Sequence, residues 1–251
     1  IEGRAGNRAS HSKRKRPGRM GDSQRGIDGI ESRTSTTGVD RTAYIEGCAV
    51  VALCKTVVFD LGGVLIHWDP RLLYRKLLPT EAEVEQFLST VCTLDWDAQQ
   101  DAGRPLEEGI AELVARFPDQ TLLIEAWRDR FTEMVLPIRD SIELLRELRE
   151  REVPLYALSN WGADEFEAIR HLFPFLKWFS GIVISGRVGL VKPGPEIFGL
   201  LVREHGLNPA EVAFIDDQPP NVEAAKQLGF QSILYSSPAD LRTELASLGL
   251  L

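Results

Sequence analysis

Four short segments carry side chains whose types suit one kind of chemistry: Phe59-Asp60-Leu61-Gly62-Gly63-Val64-Leu65, Leu158-Ser159-Asn160-Trp161, Val191-Lys192-Pro193 and Phe214-Ile215-Asp216-Asp217. Singly, each is commonplace. An Asp ahead of glycines is usually a turn residue, Ser-Asn after a strand is commonly a helix cap, Lys-Pro is usually loop, and paired Asp are usually solvated. Together they describe a nucleophile with its electrostatic support. A carboxylate at Asp60 can attack phosphorus and give an acyl-phosphate that water then hydrolyses, so one hard step becomes two easier ones. Two anions must first be brought together. Mg²⁺, a hard cation, suits that task, and Asp60, the Gly62 carbonyl and Asp217 could ligate it, with Asp216 close behind. Lys192 can neutralise both the nucleophile and the phosphoryl oxygens. The Ser159 hydroxyl, and the Asn160 side chain or nearby backbone amides, can hold those oxygens in line, with Trp161 beside them as a substrate contact.

These segments act together only if the fold brings them to one place. From Lys55 onward, short β-rich apolar runs alternate with helical patterns. The runs are Thr56 to Phe59, Val153 to Leu158, Ile182 to Ile184, Val212 to Ile215 and Ser232 to Tyr235. Helical patterns cover Asp140 to Arg151, Ala163 to His171, Pro195 to His205, Asn221 to Leu228 and Pro238 to Leu248. Such alternation predicts an α/β fold, a Rossmann-like parallel sheet with helices on both faces. Each candidate segment then falls at or beyond the C-terminal end of a strand, where open α/β sheets bind ligands.

One interval breaks the pattern. A single-helix crossover needs about 30 residues, so the stretch from Asp60 to Ser159 carries roughly 70 extra. It reads helical at Glu81 to Val91, Leu106 to Arg116 and Thr121 to Met134, with no convincing strand. The expected organisation is a catalytic core over 41–69 and 138–251, with a helical cap over 70–137. Within the cap, Trp96, Gln100 and Arg104 lie near a break between helices that could face the site.

Composition bounds the rest. The chain has 251 residues, 43% hydrophobic and 26% charged, ordinary for a globular protein and against collagen-like, coiled-coil or wholly disordered classes. Residues 1–40 carry nine Lys/Arg against five Asp/Glu, whereas the remainder carries 20 against 32. With few large apolar residues, 1–40 is expected to be a disordered tail. Its run Lys13-Arg14-Lys15-Arg16 has the form of a nuclear address or nucleic-acid arm, but beside an acidic body it is read as a solvated basic run, with no nucleic-acid partner expected. Ile1-Glu2-Gly3-Arg4 resembles a protease-cleavage tag and is set aside from the fold reading. Cys48, Cys54 and Cys92 form no C-x-x-C and suggest neither a disulfide framework nor a zinc site. The longest apolar run before the first strand is too short to span a bilayer. A cytoplasmic protein with no membrane partner is the expectation.

The wording F-D-L-G-G-V-L, L-S-N-W, V-K-P-G-P and F-I-D-D-Q-P-P-N-V-E-A-A resembles the haloacid dehalogenase-like hydrolases, most of all capped sugar-phosphate phosphatases, and is similar to the phosphatase-like domain of soluble epoxide hydrolases. The resemblance runs from about Lys55 to the C-terminus, with Asp60 in the first motif, Ser159-Asn160 in the second, Lys192 in the third and Asp216-Asp217 in the fourth. It implies a Mg²⁺-dependent phosphatase of small phosphorylated metabolites that works through an aspartyl-phosphate. One position departs from it. Most phosphatases of the family carry a second Asp two residues after the nucleophile as general acid and base, and here Gly62 stands there. Leaving-group protonation, worth about 10²–10⁴-fold, loses its usual donor, and activity biased toward better leaving groups is expected. His67 and Asp69 are candidate substitutes. Two other readings stand beside this one: a metal-free dehalogenase attacking carbon, and a catalytically weak protein that binds a phosphorylated ligand.

Overall fold

The computed structural model of the protein describes residues 53–251. The expected tail over 1–40, its basic run and Cys48 lie outside the described residues.

The sheet is parallel and five-stranded, built from β1 (Thr56–Phe59), β4 (Leu155–Ser159), β5 (Gly181–Ile184), β6 (Val212–Asp216) and β7 (Gln231–Leu234), in the order β5-β4-β1-β6-β7. Its central strands are apolar apart from Thr56 at the start of β1 and the polar residues Ser159 and Asp216 that end β4 and β6, because both faces are covered. Val57, Phe59, Ala213 and Ile215 pack into one core cluster, while Val58, Val212 and Phe214 pack into another with Phe198 and Phe230. After β1 the chain adds β4 and β5 on one side and then returns to add β6 and β7 on the other. That reversal opens a crevice at the C-terminal ends of β1, β4 and β6. The helices α6 (Arg139–Glu150), α7 (Ala163–Ile169), α8 (Ser185–Val188), α9 (Pro195–His205), α10 (Pro219–Gln227) and α11 (Pro238–Ser247) connect or follow the strands.

Between β1 and α6 the chain leaves the sheet. β2 (Ile66–Trp68) and β3 (Val135–Pro137) form a two-stranded antiparallel ribbon with His67 opposite Leu136. The sequence reading held no strand here, because three residues are too few to show a period of two. The ribbon encloses α1 (Arg71–Tyr74), α2 (Glu81–Thr90), α3 (Leu94–Asp101), α4 (Leu106–Arg116) and α5 (Thr121–Asp129). Two details differ from expectation. The predicted helix to Met134 ends at Asp129, and a 3₁₀ turn covers Phe131–Met134. The expected break around Trp96 and Gln100 is α3, started by the Thr93 hydroxyl accepting the Trp96 amide. Its residues Leu-Asp-Trp-Asp-Ala-Gln-Gln-Asp include only two large apolar side chains, and Leu94 is exposed, so the helical period is faint.

Tyr74, Trp96 and Trp127 pack ring against ring inside this helical segment. The segment is tied to the sheet region by the Leu106 amide, which donates to Asp164 Oδ2 at 3.1 Å. Cys54 and Cys92 are both buried free thiols. Among the described residues, no helix is long and apolar enough to cross a membrane.

Candidate active site

Strand register brings the acidic groups together. Phe59 pairs with Ile215, so Asp60 and Asp216 leave adjacent strands side by side, and the Asp60 amide donates to the Ile215 carbonyl at 2.8 Å. Ser159 ends β4 on the other flank of β1. Its hydroxyl donates to Asp60 Oδ1 at 2.7 Å, and the Leu61 amide donates to the same oxygen at 2.6 Å. Lys192, in the loop between α8 and α9, places Nζ 3.0 Å from Asp60 Oδ2 and 2.6 Å from Asp216 Oδ2. Asp60, Ser159, Lys192 and Asp216 are all buried.

Asp216 is fully engaged. Besides Lys192 it accepts from the Gln218 amide at 2.8 Å and from Asn221 Nδ2 at 3.0 and 3.1 Å. Asp217 is less enclosed and accepts from Gln218 Nε2 at 2.9 Å. Carboxylate oxygens of Asp60, Asp216 and Asp217 all lie within 4.8 Å of one another. The turn that follows Asp60 packs closely on Asp217. Gly63 has φ +70°, and a Cβ there would run into the Asp217 carboxylate.

Electrostatically the cluster is short of positive charge. Burial pushes the Asp60 carboxyl up to about 7, against the opposing pull of the Lys192 ammonium, and the neighbouring Asp216 charge adds to the rise. Burial also raises Asp217. Burial alone would lower Lys192, yet Asp60 and Asp216 outweigh it and hold its pKa above the usual value. One buried ammonium thus faces three carboxyls. The all-oxygen donor set of Asp60, Asp216 and Asp217 fits a hard divalent cation, with Asp60 and Asp217 the members that retain unoccupied acceptor capacity.

Beside this cluster opens a cavity of ≈ 120 Å³. Gly62, Asn160 and Trp161 line it from the sheet side, and Trp68 and Phe131 supply aromatic walls. Asp97 and Asp101 enter it from α3 and Glu165 from α7. Burial raises all three carboxyls: Asp101 to about 6, against the Gly162 amide and Lys192; Glu165 to about 7, against its bond from Trp127; and Asp97 upward, with Asp101 and Glu165 adding to the effect. Glu165 Oε1 accepts from Trp127 Nε1 at 3.3 Å, whereas Oε2 is buried with no hydrogen-bond partner.

Residues 54–229 match the model of the haloacid dehalogenase-like hydrolases. The chain belongs to that family. It is 25% identical over 206 residues to a D-ribitol-5-phosphate phosphatase of Bacteroides thetaiotaomicron, covering 77% of this chain and 97% of the relative. Among solved structures, a haloacid dehalogenase family enzyme from the same organism, in complex with magnesium and inorganic phosphate, superposes with a TM-score of 0.59 at 24% identity, over 73% of this chain and 94% of that one. The L-2-haloacid dehalogenase of Xanthobacter autotrophicus, with chloropropionic acid covalently bound, gives 0.52 at 19% identity, over 77% and 83%. These two likenesses show a common fold.

In this member of the family, Asp60, Ser159, Lys192, Asp216 and Asp217 converge, and Gly62 and Trp161 border the adjoining cavity. Asn160 takes a different part from the one expected of its side chain. Its Nδ2 donates to the Lys192 carbonyl at 2.9 Å and its Oδ1 accepts the Lys192 amide at 2.8 Å, so the carboxamide fixes the lysine's backbone, with one N–H and one lone pair left over. His67 and Asp69 line a separate cavity and do not reach the Gly62 cavity; Asp69 accepts from the Arg71 amide at 2.9 Å. Neither candidate stand-in for the acid missing at position 62 is among the residues lining the Gly62 cavity.

Trp96, Gln100 and Arg104 are inward structural groups. Trp96 Nε1 donates to the Gly109 carbonyl at 3.1 Å, Gln100 Nε2 to the Trp96 carbonyl at 2.8 Å, and Arg104 Nε to Gln100 Oε1 at 2.6 Å. Sequence reasoning missed Asn221, Ser185 (whose Oγ accepts the Trp161 amide at 2.9 Å), Asp97, Asp101 and Glu165. Asp97 and Asp101 did carry a signal, since four-residue spacing puts two acids on one helical face. It became readable only once α3 was known to be a helix.

Proposed function

We propose that the protein is a divalent-metal-dependent phosphatase of small phosphorylated compounds, sugar phosphates included, with Asp60 as nucleophile. The observation that carries this reading is the clustering of three carboxylates, Asp60, Asp216 and Asp217, with a single buried lysine bridging the first two. Attack on the carbon of a haloacid needs one carboxylate and a basic neighbour. Three carboxylates repel a phosphate dianion unless a cation joins them, and a cation bound there lets them receive one. The phosphatase relative and the magnesium- and phosphate-bound neighbour favour the same choice.

In this scheme Asp60, Asp217 and the Gly62 carbonyl, supported by Asp216, would hold Mg²⁺, which when bound would offset the charge of nucleophile and phosphate. Asp60 attacks phosphorus through a carboxylate oxygen, and the ester oxygen departs with the bonding pair and takes a proton from solvent. Water then attacks phosphorus, giving up a proton to solvent or phosphate, to release inorganic phosphate and restore the carboxylate. Lys192 balances the growing negative charge. Ser159 fixes the rotamer of Asp60 through its bond to Oδ1, and Asn160 holds the Lys192 backbone so that the ammonium stays aimed at both acids. Gly62 offers no proton, so the leaving alcohol departs most readily when it is already a weak base. The helical segment 70–137 acts as a cap over the core of 41–69 and 138–251, and its residues Asp97 and Asp101 meet Gly62 across one cavity. Phosphate release from p-nitrophenyl phosphate, measured with Mg²⁺ and with EDTA, tests the reading. Turnover that EDTA abolishes and that Asp60→Asn lacks supports it, and metal-independent halide release from a haloacid contradicts it.

A further inference from the structure

Three carboxyls meet in the cavity beside Gly62 with no cationic side chain among its lining residues. Lys192, the nearest buried ammonium, is already committed to Asp60 and Asp216. Glu165 is 2% exposed, with one oxygen held by Trp127 and the other, Oε2, without any partner. A buried carboxylate oxygen left bare is costly, and it marks a place that a donor would fill. Gly162 permits this arrangement, since a Cβ at that position would occupy the space of Glu165 Oε2.

The geometry points to a seat for a protonated amine: the substrates are phosphomonoesters whose alcohol carries an ammonium group on a short chain. This deepens the phosphatase reading and rests on it. Four features select the ammonium. The carboxyls of Asp97, Asp101 and Glu165 surround one space from two helices. They are not among the described acids whose ligand atoms close to within 4.8 Å of one another, so they are spread more widely than a bare metal ion's cage. Trp68, Trp161 and Phe131 complete the walls with aromatic rings, which cannot ligate a metal but attract an organic cation. The volume of ≈ 120 Å³ gives room for a chain of a few heavy atoms beside the carboxyls. A neutral polyol could donate hydrogen bonds to the same carboxyls but brings no positive charge to offset their ionised forms. Gly62, two residues after the nucleophile, lines the cavity, so one small molecule can place phosphate at Asp60 and an amine among the carboxyls.

The test compares 2-aminoethyl phosphate with its near-isosteres 2-hydroxyethyl phosphate and n-propyl phosphate, with p-nitrophenyl phosphate as an independent report on phosphatase chemistry. In the full-length protein with Mg²⁺, the amine ester is expected to exceed both isosteres in kcat/KM by roughly 10–100-fold, the range that charge-assisted hydrogen bonds and a cation over aromatic faces provide. In Glu165→Gln and Asp101→Asn that ratio falls at least about threefold each, and in the double variant it approaches one. Turnover of p-nitrophenyl phosphate with an amine ratio at or below one, with a ratio unchanged in the variants, or with a pentitol phosphate preferred over the amine overturns the ammonium seat and leaves the phosphatase reading standing. If no ester is hydrolysed, that reading fails by itself. The same ratio is then read calorimetrically as binding of 2-aminoethyl against 2-hydroxyethyl phosphate: a preference in the parent that the variants lose supports the seat, and equal affinities overturn it.

Discussion

Glu165→Gln removes a buried charge while keeping the side chain's shape, and its effect can be worked from the structure. Burial raises the Glu165 carboxyl from 4.5 to about 7, with the Asp101 and Asp164 charges adding to the rise. The native state thus holds this proton more tightly than the unfolded chain does. Stability is lost as pH climbs between those two values, and nothing is lost below the lower one. Integrating the proton linkage with these values gives a penalty at pH 8 about 2–3 kcal/mol larger than at pH 5. Glutamine has no such linkage, although its amide, placed where Oε2 has no partner, carries a cost of about 1–3 kcal/mol that does not depend on pH. The informative quantity is therefore a difference of differences. Urea denaturation of parent and variant at pH 5 and pH 8 is expected to show the variant gaining about 2–3 kcal/mol on the parent between the two, roughly 5–10 °C in Tm for a chain of this size. A variant that tracks the parent at both pH values would refute the argument that Glu165 is buried as an uncompensated acid.

Two further outcomes follow from the site. Gly62 has nothing within 4 Å of where a Cβ would lie, so Gly62→Asp is expected to fold and to raise kcat/KM on alkyl phosphates by up to about 10²–10⁴-fold while changing p-nitrophenyl phosphate turnover far less; equal effects on both esters contradict the missing-acid reading. Asn221→Ala strips two hydrogen bonds from buried Asp216 and is expected to cost about 1–3 kcal/mol in urea denaturation and to lower phosphate release, whereas unchanged stability and rate contradict the part assigned to Asn221.

The strands of the sheet were legible because two-sided burial leaves near-continuous apolar runs such as Val57–Phe59, each stopping at a polar residue at the C-terminal end of its strand. That same stop made the convergence of Asp60, Ser159 and Asp216 legible. What escaped was short, weakly patterned or purely spatial. The β2–β3 ribbon is three residues deep, and α3 buries too few apolar side chains to show its period. Glu165 is invisible in sequence because its significance lies in what surrounds it: Trp127 on one oxygen, nothing on the other, and two acids from a helix some 65 residues earlier. Asn160 shows the converse. It stands beside the cluster, as expected of a residue after β4, but its side chain bonds the Lys192 backbone, a contact that spans 32 residues and leaves no mark on local pattern.

The claim on which the mechanism turns is that phosphorus becomes bonded to Asp60. Enzyme quenched during turnover of p-nitrophenyl phosphate with Mg²⁺ and then reduced with borohydride converts an aspartyl-phosphate to homoserine, which peptide mass mapping locates. Homoserine is expected at position 60, only when substrate and metal are both present. Conversion at another acid, or turnover with no residue converted, would contradict the assignment.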